Sequence, residues 1–229
     1  IRDRVNTVGS IRMSTQPASK SGAKKTMATT KVAGTADRIM HAATELFLRD
    51  GYSNTNLEHV AKIAGVTKPT VYAHFKSKEG LLLAVTAAQA KSNADKMMMS
   101  LKPTGDIEAD LLKFGRMFLK TVQSDEAMCW QRLSLAESRD HPEVGNAVYS
   151  SGPARVINAV TVFVGNETRA GRLNCKDAEL AAEQFIGLLA GIYPIRTMTG
   201  QPRPSKSKLN QSCTEAVRTF LAAFSTEES

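Results

Sequence analysis

Apolar residues recur at spacings of three and four along most of the chain, and no stretch shows the two-residue alternation of a strand. Ile39, Ala42, Ala43, Leu46 and Phe47 form one such stripe, which Asp50-Gly51 ends and which Thr35 is placed to cap. Leu57, Val60, Ala61 and Ala64 form a shorter one. Gly65 follows directly, where a left-handed residue stops a helix, and Val66 can fill the angle to the next. Thr67 is a natural N-cap, and Pro69 falls in the first turn, where its missing N–H costs little. In the helix that follows, Val71 and Phe75 are four apart and point inward. At about 100° per residue, Pro69, Thr70, Tyr72, Ala73 and Lys76 then point outward. Ser77 caps a fourth helix, with Glu79 near its positive end and Leu81, Leu82 and Val85 inward.

The remaining chain also reads as helices. Pro103-Thr104-Gly105 is a break, and Asp106 to Ser124 follows with Leu111, Leu112, Gly115, Phe118, Leu119 and Val122 inward. Glu126 to Ser138 carries Trp130, Leu133 and Leu135 inward. Asp140-His141-Pro142 opens a helix to about Ala170, kinked at Gly152-Pro153 and ended by Gly171-Arg172-Leu173. Asp177 to about Thr199 reads as one long apolar helix, residues 196 to 207 as a loop, and Lys208 to Phe224 as the last helix. The expected fold is all-α: a three-helix head within residues 35–86 and a helical body over 87–229.

Charge divides the chain differently. Of the net +8, most lies in residues 1–34, where seven Lys/Arg face one Asp. That segment has no apolar period and is rich in Ser, Thr, Lys and Gly, so it reads as a disordered basic tail. Met13 and Met27 are both candidate starts, and the tail is either an arm for phosphates or a remnant preceding the true start. No run approaches the roughly 18 apolar residues of a membrane span, and the N-terminus lacks a secretory core. Cys129, Cys175 and Cys213 are odd in number and far apart, which fits a reducing cytoplasm rather than a disulfide framework.

Two short helices set at an angle by a glycine turn, the second showing small, polar, aromatic and basic side chains to solvent, suit the major groove of DNA. Gly51-Tyr52, Thr55, Val60-Ala61, Ala64-Gly65-Val66, Lys68, Thr70, Tyr72, His74-Phe75, Ser77-Lys78-Glu79 and Leu81 resemble, at the same spacing, the N-terminal domain of the TetR family of bacterial transcriptional regulators. That resemblance covers roughly residues 35 to 85. In the body, LAESRDHPEVGNAVYSSGPARV, AGRL and AELAAEQFIGLLAG resemble the AefR-like C-terminal domain of the same family, over roughly residues 128 to 192.

The resemblance implies a cytoplasmic homodimer, paired through its last two long helices, that binds a palindromic duplex operator. It also implies a repressor released by a small-molecule effector, with efflux or signalling genes as targets. Base readout would fall to Lys68, Pro69, Thr70 and Tyr72, with Thr55, His74, Lys76 and Lys78 on the backbone. Four of these have a plainer reading. Thr55 can cap its helix without DNA, Tyr72 can be an aromatic core residue, His74 fits a phosphate contact or a packing role equally, and Lys78 can be an ordinary solvated lysine. An effector cavity would draw on Phe114, Met117, Phe118, Trp130, Tyr149, Phe163 and Phe185, each of which could equally be core. A regulator answering instead to a protein partner or to oxidation of Cys129 stays open. No cofactor, metal site or membrane partner is expected: the four histidines share no metal spacing, the Glu137/His141 pair straddles a helix boundary, and no polar constellation suggests an enzyme.

Overall fold

The first apolar stripe closes into α1 (Thr35–Asp50), with Ile39, Ala42, Ala43, Leu46 and Phe47 buried and Gly51 donating its N–H to the Phe47 carbonyl. The computed structural model describes residues 34–226; the expected basic tail lies outside the described residues up to residue 33. The entry to α1 differs from the expected cap. Gly34 is the N-cap and Thr35 is already helical, because the Asp37 carboxylate reaches back 3.2 Å to accept the Gly34 N–H. A similar shift occurs at α2 (Leu57–Ala64). Asn56, not Thr55, caps it, its Oδ1 accepting the Glu58 N–H at 2.8 Å. Thr55 is buried one position earlier and donates its hydroxyl to the Gly51 carbonyl at 2.8 Å.

Gly65 ends α2 at φ 65° and ψ 39°, a left-handed conformation that costs glycine nothing. Thr67 caps α3 (Lys68–Phe75) as expected, and Ser77 caps α4 (Lys78–Met98) by accepting the Gly80 N–H at 3.0 Å. Leu81, Leu82 and Val85 of α4 are buried with the α1–α3 apolar residues in one core. Further along, Ala94 and Met97 of the same helix enter a second core. At 21 residues α4 is about 30 Å long, and position 86, where head and body were expected to divide, lies inside it.

The second core belongs to α5 (Ile107–Val122), α8 (Pro153–Arg169), α9 (Ala178–Ala190) and α11 (Lys206–Phe224). α6 (Asp125–Glu137) and α7 (Pro142–Ser151) lie between the two, and Trp130 and Val144 from them are buried in the head core. Leu133 is half-buried there, but Leu135 is solvent-exposed, contrary to expectation. Two expected helices are broken. At Gly152 the backbone leaves helical values (φ −117°, ψ −91°), and Pro153 has no N–H to carry the ladder on, so the kink is a full break between α7 and α8. The long apolar helix after Asp177 stops at Gly191, whose φ of 50° and ψ of −140° suit only glycine, and resumes as the short α10 (Tyr193–Met198). No strand is present among the described residues, only an isolated antiparallel bridge between Leu173 and Ser225.

The α3–α4 corner is tight enough to dictate one residue. A side chain on Gly80 would run into the Phe75 carbonyl, a backbone atom that cannot swing away. Gly80→Ala is expected to destabilise the protein by roughly 1–3 kcal/mol, as overpacking does. A urea unfolding curve with an unshifted midpoint would show that the corner relaxes freely.

Candidate nucleic-acid interface and cavity

The outward face of α3 is set by its inward pair. Val71 is fully buried and Phe75 half-buried, so Lys68, Pro69, Tyr72, Ala73 and His74 are exposed, with Lys76 just beyond the last turn. Thr70 is half-buried, its hydroxyl 2.8 Å from that of Thr67. Tyr72 is 45% exposed, which separates it from the aromatic core. The expected interface residues therefore divide. Lys68, Pro69, Tyr72, His74 and Lys76 are exposed and Thr70 is half-buried, whereas Thr55 is withdrawn into the core with its hydroxyl committed.

Two lysines are already engaged. Lys68 Nζ lies 2.8 Å from Glu58 Oε1 on α2, which holds the ammonium above its usual pKa and the carboxyl below its own. Both side chains stay largely in solvent, so this is an exchangeable partnership rather than a fixed one. Glu58 is thus an acidic group on the α3 surface that spacing alone gives no reason to connect with Lys68. Lys78 donates to the Ser53 carbonyl at 3.1 Å and sits 4.4 Å above the Tyr52 ring.

Tyr52 joins the head to the body. Its ring meets Phe47 at 5.7 Å and, edge-on, His141 at 5.8 Å, and its hydroxyl donates to Glu79 Oε1 at 3.0 Å. Burial, then the Glu79 carboxylate, pushes the phenol pKa up; hydrogen bonds from backbone, Ser77 and Tyr52 hold the Glu79 carboxyl low. His141 is the N-cap residue of α7, so the linker after α1, the first turn of α4 and the start of α7 converge on this ring.

In the body, a cavity of about 300 Å³ opens between α4, α5, α6, α8 and α9. Phe118, Trp130, Val156, Ile157 and Ile186 give it an apolar wall; Thr86, Gln89, Asn93, Gln131 and Ser134 add neutral polar groups. No Asp, Glu, Lys, Arg or His lines it. Of the seven side chains expected at such a site, only Phe118 and Trp130 are on the wall. Phe114, Phe163 and Phe185 are core, with Phe114 and Phe185 6.2 Å apart, Tyr149 is 57% exposed, and Met117 lines a different recess beside Lys113 and Lys120. Helical period separates inward from outward positions but not the filled interior from the empty one. The missed polar lining had a faint signal, since Thr86, Gln89 and Asn93 are three or four apart on α4.

Of the cysteines, Cys129 is exposed, Cys175 half-buried and Cys213 buried, with burial pushing the Cys213 thiol pKa up. Among the described residues no three His, Cys, Asp or Glu side chains converge as metal ligands.

Residues 39–85 match the family described as bacterial regulatory proteins, tetR family, and residues 109–226 match the AefR-like transcriptional repressor C-terminal domain. The HTH-type transcriptional regulator SrpR of Pseudomonas putida is 42% identical over 159 residues, 69% of this chain and 73% of that protein. YvkB of Bacillus subtilis, also an HTH-type transcriptional regulator, is 33% identical over 72% of this chain and 85% of its own length. Among solved structures, a TetR-family regulator from Mesorhizobium loti superposes with a TM-score of 0.79 at 28% identity, over 84% of this chain and 97% of that one. The flavonoid-responsive regulator FrrA does so with a TM-score of 0.74 at 29% identity, over 85% and 98%. With both its helix-turn-helix head and its helical body matched, the chain belongs to the TetR family of DNA-binding transcriptional regulators.

Proposed function

We propose that the protein is a homodimeric repressor that lays α3 of each head in the major groove of a palindromic operator and is released when a small apolar molecule enters the cavity of the body. In this reading residues 35–86 are the DNA-binding head and 87–229 the regulatory and dimerising body, with α4 shared between them. The observation that carries the reading is Trp130. It lines the cavity and is also buried in the core of the head, so an occupant would touch a residue on which the head is packed. Release then requires that the occupant favour the head arrangement that does not fit DNA. FrrA, by its name, responds to flavonoids, and flat, mostly apolar molecules of that kind suit the wall of this cavity.

Exposed apolar side chains support a dimer face. Val162 of α8, Leu180 and Leu188 of α9, and Ile192 and Ile195 around α10 are each at least 40% exposed. Of the two C-terminal helices expected to pair, α9 carries large exposed apolar side chains and α11 carries none, so in this reading α9 is joined at the interface by α8. No helix among the described residues is long and apolar enough to cross a membrane.

A gel shift with genomic fragments, repeated with a panel of neutral aromatic compounds, tests the whole reading: a specific complex that the compounds dissolve is expected, and no shifted fragment would refute it. Within that assay Thr70→Ala or Tyr72→Ala should each cost about 1–3 kcal/mol of operator binding. Undiminished affinity in both, with folding intact, removes α3 from the interface.

Glu58→Gln is expected to act in the opposite direction. It frees Lys68 and removes a negative charge from the α3 surface, so DNA binding should tighten. The slope of log affinity against log salt should steepen by up to about one unit, as one more phosphate contact would give. Weaker binding would mean that the carboxylate orients Lys68 rather than competing for it.

Leu188→Glu combined with Ile192→Glu should convert the dimer to a monomer in sedimentation velocity and abolish operator binding. A dimer that persists would place the interface elsewhere.

A further inference from the structure

The recess that holds Met117 adjoins the cavity. It encloses about 620 Å³ between the C-terminal half of α4 and α5, and Asn93 and Thr121 line both spaces. Gln89 of the cavity wall also donates to Glu126 of the recess wall, at 3.0 Å. In chemistry the two differ. The cavity has no ionisable lining, whereas the recess carries Lys96, Lys113 and Lys120 against a single carboxylate, Glu126. We propose that the effector is an amphiphilic organic anion, whose apolar body fills the cavity and whose acidic end lies among the lysines of the recess. This rests on the reading of the cavity as the effector site and adds the charge class of the effector and the residues that read it.

Charge complementarity carries the assignment. Among the described residues the lysines held in ion pairs are Lys68 and Lys91, so Lys96, Lys113 and Lys120 keep their charge for an outside partner. An acidic group drawn into the cavity would lose its hydration and gain no counter-charge. Beyond Asn93 and Thr121 it keeps its water and meets three exposed lysines. A tether joining the two ends passes those two side chains, whose amide and hydroxyl suit the polar atoms beside an acid group. The recess is also partly apolar. Met99 is 71% exposed and Met117 half-buried beside the lysines, and their thioether chains adapt to an aliphatic segment. A cationic end would face the same lysines and be repelled.

The test uses a pair of probes of one shape. Naphthylbutanoate and its primary amide differ in charge alone, and plain butanoate has the acid without the body. Binding to the full chain is measured by calorimetry at neutral pH, on the wild type and on Lys113→Gln combined with Lys120→Gln. Both lysines are exposed, so the variant loses charge and no core packing. The wild type should prefer the naphthyl acid over its amide by roughly tenfold at low ionic strength, as a few solvated ion pairs allow. The preference should shrink as salt is added, because exposed charges are screened. In the variant the acid should fall to the level of the amide, with the amide unchanged. Butanoate should bind far more weakly than the naphthyl acid. Equal binding of acid and amide in the wild type overturns the anionic class and leaves the cavity standing as a ligand site. A preference that survives in the variant overturns the placement of the acid in the recess. Butanoate bound as tightly as the naphthyl acid overturns the coupling of recess to cavity. Failure of both naphthyl probes to bind overturns the cavity reading together with this one.

Discussion

The head does not close its own core. The apolar faces of α1 to α4 meet around Phe47, Val60, Val71 and Leu82, and the remaining space is filled by Trp130 from α6 and Val144 from α7. A unit of some fifty residues buries too small a share of its surface to be robust alone, so borrowing two side chains from the body is a physical solution to its size. The consequence reaches beyond stability. The placement of the helix-turn-helix is tied to α6 and α7, because two side chains of its core come from them. α4 enforces the same dependence from the other side: one uninterrupted helix carries Leu82 in the head core and Met97 in the body core.

Tyr52 is the polar counterpart of that shared core. Its ring fills the corner between Phe47 and His141, and its hydroxyl finds Glu79 where α4 begins. Lys78 lies over the ring and reaches the Ser53 carbonyl, so the positive group nearest the α4 N-terminus serves the junction as well as the surface. The Lys68–Glu58 pair has the same double character on the α3 face. The carboxylate satisfies Lys68 at 2.8 Å while both side chains remain largely in solvent.

The cavity shows how emptiness, as much as packing, is arranged. Phe114, Phe185 and Phe220 fill the interior beneath α5, with Phe185 and Phe220 4.9 Å apart. One turn along the same face of α5, with its ring 6.1 Å from that of Phe114, Phe118 borders open space together with Trp130. A void bounded by aromatic and aliphatic side chains forfeits dispersion contacts, and an unpaired indole N–H adds to that cost. Such a loss is tolerable in a protein whose proposed task is to exchange an occupant for a change of shape.

Local patterns in the sequence determined the helices of the head and the side of α3 that faces outward. Val71 and Phe75 define the inner face by spacing alone, and Gly65, Thr67 and Ser77 mark ends whose chemistry is carried by one or two residues. The family resemblance of the motif from Gly51 to Leu81 rests on that local information. Where two neighbours compete for one role, geometry decided: Asn56 took the cap from Thr55, and Asp37 with Gly34 took it from Thr35. Breaks at Gly152 and Gly191 were visible as residues but not as outcomes, because a glycine permits a non-helical conformation without requiring it. The ion pair of Lys68 with Glu58, the meeting of Tyr52 with His141, and the choice of Phe118 and Trp130 over Phe114 and Phe185 as cavity wall belong to tertiary structure only. Each depends on how far apart separately formed helices come to rest, a distance that no period along the chain encodes.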